Sequence, residues 1–203
     1  MIAIIDYDAG NIKSVEKALQ FLGEEACITR EPEKILTADK VILPGVGSFG
    51  DAMEKLHKYE LVPVIKEVTG RKTPFLGICL GLQLLFESSE ESPGVEGLGL
   101  LKGKIVRIPE VNGQKVPHMG WNSLKFPKQG RLFEGISEDS YVYFVHSYYL
   151  KAEEDIVTAT TEYGITIHAS VEKDNIFACQ FHPEKSSDTG LRILKNFIHT
   201  GEM

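Results

Sequence analysis

The sequence has little cysteine, no long apolar run and no surplus of positive charge, and each shortage removes a class of protein. Three cysteines in 203 residues, Cys27, Cys79 and Cys179, are too few and too scattered for a disulfide framework. No Cys-x-x-Cys pair offers a zinc or redox site. A reducing, cytoplasmic setting suits such a chain. No apolar stretch approaches the ~20 residues that span a bilayer, and the opening Met-Ile-Ala-Ile-Ile-Asp has neither a basic leader nor a cleavage site, so no export signal and no membrane are expected. Against 22 Lys and Arg stand 29 Asp and Glu, a formal net charge of −7. Nucleic acid is therefore not an expected partner, because its capture needs cations that displace counterions. The remainder is ordinary for a globular chain, with 42% hydrophobic and 25% charged residues. A sizeable core and a single domain over residues 1–203 are expected.

Ile2 to Ile5 is continuous, apolar and rich in β-branched residues, the mark of a buried strand. Past Gly10, Ile12, Val15, Leu19 and Leu22 recur at helical spacing while Lys13, Glu16, Lys17 and Gln20 face away. A short strand at 26–29, a strand at 40–43, helical stretches over about 50–68, a strand at 74–78 and a helix after Cys79 continue the alternation. Such alternation predicts a parallel sheet covered by helices on both faces. Beyond Leu100 the runs 103–108, 122–126, 141–150, 156–161, 167–171 and 176–180 read as strands, partly antiparallel. A last helix, with Leu191, Leu194 and Phe197 on its apolar face, is expected to start from a Ser187 or Asp188 cap. The fold class is thus α/β: a mixed, mainly parallel sheet flanked by helices, with added antiparallel strands.

Gly77-Ile78-Cys79-Leu80-Gly81 follows one of these strands and opens a helix, the setting of a nucleophile elbow with Cys in place of Ser. Glycines on both sides allow a sharp, strained turn that lifts the sulfur out of the sheet. The helix N-terminus favours a thiolate, and the Leu80 N–H points where an oxyanion would form. A buried structural cysteine is the competing reading of a lone Cys, and the glycine frame favours the nucleophile. His182-Pro183-Glu184 lies past the strand 176–180. Residues two apart in extended chain project to one side, so Glu184 could orient the imidazole of His182. A solvated strand end is the plainer alternative for that tripeptide alone. Pro44-Gly45-Val46-Gly47-Ser48-Phe49-Gly50 lacks the Lys and following Ser or Thr of a phosphate loop. It reads better as a segment whose N–H groups face an oxyanion, or as a plain glycine-rich turn.

Taken together and in this order, the stretch from Gly77 to Gln83, the Pro44-Gly45-Val46-Gly47 loop and His182-Pro183-Glu184 resemble the class I glutamine amidotransferases. Within that class the chain resembles, nearly end to end, the glutaminase subunits of imidazole glycerol phosphate synthase. Four segments carry this: Asp6-Tyr7-Asp8-Ala9-Gly10-Asn11, Pro117-His118-Met119-Gly120-Trp121-Asn122, Phe144-Val145-His146-Ser147-Tyr148 and His182 to Ser187. Asp8 departs from the pattern, which more often has glycine there.

The resemblance implies that Cys79 attacks the side-chain amide of glutamine to give a γ-glutamyl thioester and ammonia, with His182 carrying protons and Glu184 holding it. The N–H groups of Leu80 and of Gly45, Val46 and Gly47 would bind the oxyanion, the loop after a peptide rearrangement. Gln83, His146, Ser147 and Tyr148 would grip the substrate, although a polar helix flank and a packing aromatic are the plainer readings of Gln83 and Tyr148. Asn11, Pro117, His118, Met119, Trp121, Asn122 and Lys185 would face the partner and the ammonia exit. An aromatic cluster such as that around Trp121 is otherwise more often core than interface. The implied partner is a cyclase subunit folded as a (β/α)8 barrel, in histidine biosynthesis, and neither cofactor nor metal is implied. Rival readings are the glutaminase subunit of an anthranilate or aminodeoxychorismate enzyme, and a catalytically silent binding subunit. The Pro-His-Met-Gly-Trp-Asn segment speaks against the first, and an intact Cys79, His182 and Glu184 speak against the second.

Overall fold

The computed structural model describes residues 1–111 and 113–201; Asn112, Glu202 and Met203, within the span read as one domain, lie outside the described residues. The chain opens with β1 (Ile2–Ile5), α1 (Ile12–Phe21), β2 (Ala26–Thr29), α2 (Pro32–Leu36), β3 (Lys40–Leu43), α3 (Phe49–Lys58), α4 (Leu61–Gly70), β4 (Phe75–Ile78) and α5 (Leu80–Leu84). Strands follow: β5 (Ser88–Ser89), β6 (Gly103–Arg107), β7 (His118–Ser123), β8 (Tyr141–His146), β9 (Tyr148–Ala152), β10 (Val157–Glu162), β11 (Thr166–Lys173) and β12 (Ile176–Cys179). The last helix is α6 (Ser187–Ile198). One ten-stranded sheet runs β2-β1-β3-β4-β12-β11-β9-β6-β5, with β10 beside β11, and β7 pairs with β8 in a separate ribbon. From β2 to β12 neighbouring strands are parallel; β11, β9 and β6 add antiparallel pairs. The α/β sheet expected from the sequence is the sheet observed.

Period-2 alternation explains its two covered faces. Ala3 and Ile5 of β1 pack with Ile35, Leu56 and Val64 from α2, α3 and α4. Ile2 and Ile4 pack on the other face with Ile12, Val15 and Leu19 of α1 and Leu194 and Phe197 of α6. Among the described residues no helix is long and apolar enough to cross a membrane.

Several boundaries differ from the sequence reading. The helical stretches expected over about 50–68 are α3 and α4, which reach from Phe49 to Gly70 and part where Glu60 takes φ 54°. The strand expected at 122–126 lies at His118–Ser123, its pattern diluted by Gly120 at φ 125°. The run 141–150 is two strands, because at Ser147 the chain leaves the ribbon and enters the main sheet. The α6 cap position is Ser186 rather than Ser187 or Asp188, and its side chain makes no capping bond. That hydroxyl instead donates to the His182 carbonyl at 2.6 Å and accepts from the Tyr143 N–H at 2.9 Å.

Candidate active site

Strands β4 and β12 run side by side and release Cys79 and His182 at the same sheet end, the Cys79 N–H still bonded to the Cys179 carbonyl at 2.8 Å. Cys79 has φ 55° and ψ −110°, a conformation that strains a residue with a Cβ by ~1–3 kcal/mol. Strain therefore sits on the cysteine itself. The flanking glycines serve another purpose, close approach. A Cβ on Gly81 would lie 1.9 Å from the Leu43 carbonyl oxygen, and one on Gly77 would lie 2.7 Å from the Gly81 oxygen.

His182 is fully buried. Its Nδ1 lies 2.7 Å from Glu184 Oε1, brought there by a 3-10 turn over Pro183–Lys185 rather than by the extended chain expected. Asn11 stands at the N-cap of α1 yet makes no capping bond. Its amide donates to Glu184 Oε1 instead and lies 3.4 Å from His182 Nδ1. A capping bond is worth ~1 kcal/mol, so this helix start forgoes local stability to hold the carboxylate. Burial alone would depress the His182 pKa, but interactions with Cys79 and Glu184 outweigh it and hold the imidazole up at about 10. His182 Nε2 is buried without a hydrogen-bond partner and His182 faces the cavity that Cys79 also lines.

That cavity, of about 390 Å³, is lined also by Val46, Gly47, Leu80, Gln83, Glu91 and the stretch from Val145 to Tyr148. Its size suits a small amino acid rather than a polymer. The Gln83 amide donates to the Tyr148 carbonyl at 3.1 Å and to Gln180 Oε1 at 3.0 Å, and the Gln180 amide donates to Cys79 Sγ at 3.7 Å. The Leu80 N–H is occupied: it donates to the Gly45 carbonyl at 3.3 Å. Buried Tyr7 donates to the Pro44 carbonyl at 2.8 Å and so holds the base of this loop.

Residues 3–200 match the family model for glutamine amidotransferase class-I. The chain belongs to the class I glutamine amidotransferase family. Among curated relatives, imidazole glycerol phosphate synthase subunit HisH of Moorella thermoacetica is 55% identical over 97% of this chain and 93% of its own. The protein of that name from Methanocaldococcus jannaschii is 51% identical over 98% of each chain. A solved structure titled PurLQS from Thermotoga maritima superposes with a TM-score of 0.76 at 20% identity, covering 98% of this chain and 97% of that one. The glutaminase domain of Trypanosoma brucei CTPS, with bound acivicin, does so at 0.67 and 15%, covering 97% and 93%. At those identities the likeness concerns the fold.

The remaining sequence candidates of this amidotransferase separate by face. On β7, Met119 and Trp121 point outward, 62% and 53% exposed, whereas His118 points inward and is buried and Asn122 is half-buried. Lys185 is exposed, and Pro117, also exposed, lies at the cavity rim. Three residues at the site were not singled out from sequence. Gln180 is the polar residue of an otherwise apolar run two places before His182, a signal that could have been read. Glu91 lies in a polar stretch of Ser and Glu where nothing marks one carboxylate. Tyr7 sits within the Asp6 to Asn11 segment, and only the fold brings it to Pro44.

Proposed function

We propose that this amidotransferase hydrolyses glutamine through Cys79 as nucleophile, His182 as proton carrier and Glu184 as its orienter, by way of a γ-glutamyl thioester. The protein is a glutamine-hydrolysing enzyme, the glutaminase subunit of imidazole glycerol phosphate synthase. The observation that carries the mechanistic reading is a strained, cavity-lining cysteine beside an imidazole whose Nδ1 is fixed by a carboxylate and whose Nε2 is free.

The Cys79 thiol yields its proton to His182 Nε2, the thiolate attacks the side-chain carbonyl carbon of glutamine, and Nε2 passes that proton to the departing nitrogen, so the C–N bond breaks, ammonia leaves and the thioester remains. Water, deprotonated by the same Nε2, then attacks the thioester and releases glutamate. Asn11 acts as a positioning residue on Glu184. Glu91, the one carboxylate among the described residues lining the cavity, pairs with the α-ammonium of the substrate, while Gln83 and the His146 to Tyr148 stretch border its other groups. Gly45, Val46 and Gly47 supply the oxyanion loop. In the resting arrangement the Gly45 carbonyl occupies the Leu80 N–H, so a turn of the Gly45–Val46 peptide frees that donor and aims the Val46 N–H at the same place. Ammonia passes to a cyclase subunit folded as a (β/α)8 barrel, docked on Met119, Trp121, Lys185 and the Asn11 loop. One domain does all of this.

The test is labelling of the complex with a glutamine-analogue electrophile, together with rates of the variants. Modification is expected at Cys79, with Cys27→Ala and Cys179→Ala still active and His182→Asn nearly dead. Glu184→Gln should keep a fraction of the rate, because an orienter costs less to lose than the proton carrier. Labelling at Cys27 or Cys179 alone, or a fully active His182→Asn, overturns the assignment.

A further inference from the structure

His118 and His146 face each other across the β7–β8 ribbon as directly paired residues. Their rings meet, His118 Nδ1 lying 2.9 Å from His146 Nε2. Beyond them His146 Nδ1 lies 2.8 Å from the Tyr148 carbonyl, and His118 Nε2 lies 3.2 Å from the Asn122 amide nitrogen. The His118 ring is sandwiched between Phe144 and Tyr163, with centroids at 4.7 and 4.0 Å.

The partners fix every proton. A carbonyl only accepts, so His146 Nδ1 carries hydrogen and its Nε2 accepts. His118 must then donate from Nδ1, which leaves its Nε2 to accept from Asn122. The second Asn122 N–H goes to the Glu162 carbonyl at 2.9 Å. Both imidazoles are thus neutral with hydrogen on Nδ1, the reverse of the tautomer that free imidazole side chains favour. Burial agrees, pushing His118 down to about 4 and His146 to about 3.

The chain of donors continues to the sulfur. The Tyr148 carbonyl takes one hydrogen from His146 and one from Gln83, filling both lone pairs. The other Gln83 N–H goes to Gln180 Oε1, which turns the Gln180 amide nitrogen toward Cys79. Gln83 Oε1 is the end of that amide left over for the cavity.

We propose that His118, which does not itself line the cavity, is a positioning residue of the glutamine site: with His146 it forms a one-way hydrogen-bond relay from Asn122 to the Tyr148 carbonyl, and so sets the orientation of Gln83 and Gln180. The relay begins on the strand that carries exposed Met119 and Trp121. The inference rests on the glutaminase reading for its kinetic consequence only.

The first measurement is nitrogen NMR of the full chain labelled in histidine. His118 and His146 are expected neutral at pH 7 with hydrogen on Nδ1; hydrogen on Nε2 of either ring, or a charged ring, overturns the relay. The second is glutamate release by the chain with its cyclase partner. His118→Phe keeps an aromatic ring between Phe144 and Tyr163 but strands His146 Nε2, and KM for glutamine should rise about tenfold, more than kcat falls. His118→Asn, which returns a donor near the place of Nδ1, should recover most of that loss. A folded His118→Phe enzyme with unchanged KM, or one with reduced kcat alone, overturns the proposal. Should His118→Phe not fold, an unimproved KM for His118→Asn relative to His146→Phe overturns it equally. A wild-type complex that releases no glutamate counts against the glutaminase reading and leaves the NMR result to judge the relay.

Discussion

Val46 is where the resting loop can be pushed toward activity by a single change. Its φ is negative, since it is absent from the residues at positive φ. A turn of the Gly45–Val46 peptide rotates ψ of Gly45 and φ of Val46 through about half a turn, because the peptide plane moves as a unit. Val46 would then stand at positive φ. A β-branched residue there costs on the order of 1–3 kcal/mol, a cost glycine escapes. Val46→Gly should therefore favour the turned peptide by about 5- to 150-fold. One oxyanion donor is worth ~100- to 1000-fold in rate, so the variant recovers a substantial part of what the resting loop withholds. Val46 is 37% exposed, and its loss should cost only ~1–2 kcal/mol, a few degrees of melting temperature. The assay is glutamate release at saturating glutamine, by the isolated chain and by the complex with its acceptor site filled. The isolated variant should gain strongly, and the filled complex, already turned, should gain little. A folded Val46→Gly chain whose isolated rate is unchanged or lower would refute the peptide-turn reasoning.

Other outcomes follow from close packing, titration and exposure. Gly81→Ala drives a Cβ to 1.9 Å from the Leu43 carbonyl, backbone against backbone, and should destabilise by ~2 kcal/mol or more; a melting curve within a degree of wild type would contradict it. His118 and His146 are held below the ordinary histidine pKa of 6.5, at about 4 and about 3. Their contribution is complete above about pH 6.5 and is lost as pH falls through the folded values, so acid unfolding should be shallower in His118→Phe. His182, raised to about 10, works the other way, its share being lost as pH climbs from about 6.5 through 10. Trp121→Ala removes a large exposed ring and should weaken the cyclase complex by roughly 30-fold with little change in melting, measurable by calorimetric titration.

What could be read from the sequence was what local pattern controls. Ile2 to Ile5 and the helix after Gly10 announce themselves through unbroken apolar or 3.6-residue spacing, and the order of strands and helices carries the sheet. The Cys79 elbow was legible because its glycines flank it in sequence, although their purpose is close backbone approach, Gly81 to Leu43 and Gly77 to Gly81, and not the strain that Cys79 bears. The two-residue strand β5 and the five-residue helix α2 are too short to show a period. Which side of β7 turns inward has no local signal; pairing with β8 leaves His118 buried while Met119 and Trp121 stay exposed. Asn11 joins Glu184 across 173 positions, and such contacts have no local signal at all.

Asp8 replaces conformational freedom with charge. It holds φ 66°, a shape glycine adopts without strain, and is kept there by an ion pair to Arg30 at 2.7 Å and by a hydrogen bond from Tyr59. Arg30 also reaches Asp6 at 2.7 Å and lies 4.1 Å over the Tyr59 ring. All of these groups are substantially exposed to solvent or at its edge, within reach of salt, whose screening length is ~8 Å under physiological conditions. Three residues farther on, the same loop ends in Asn11, whose amide rests on the Glu184 carboxylate. Counterions that screen the Asp8–Arg30 pair therefore act on the outer end of a loop whose inner end holds Glu184, an exposure to the medium that a glycine at position 8 would not confer.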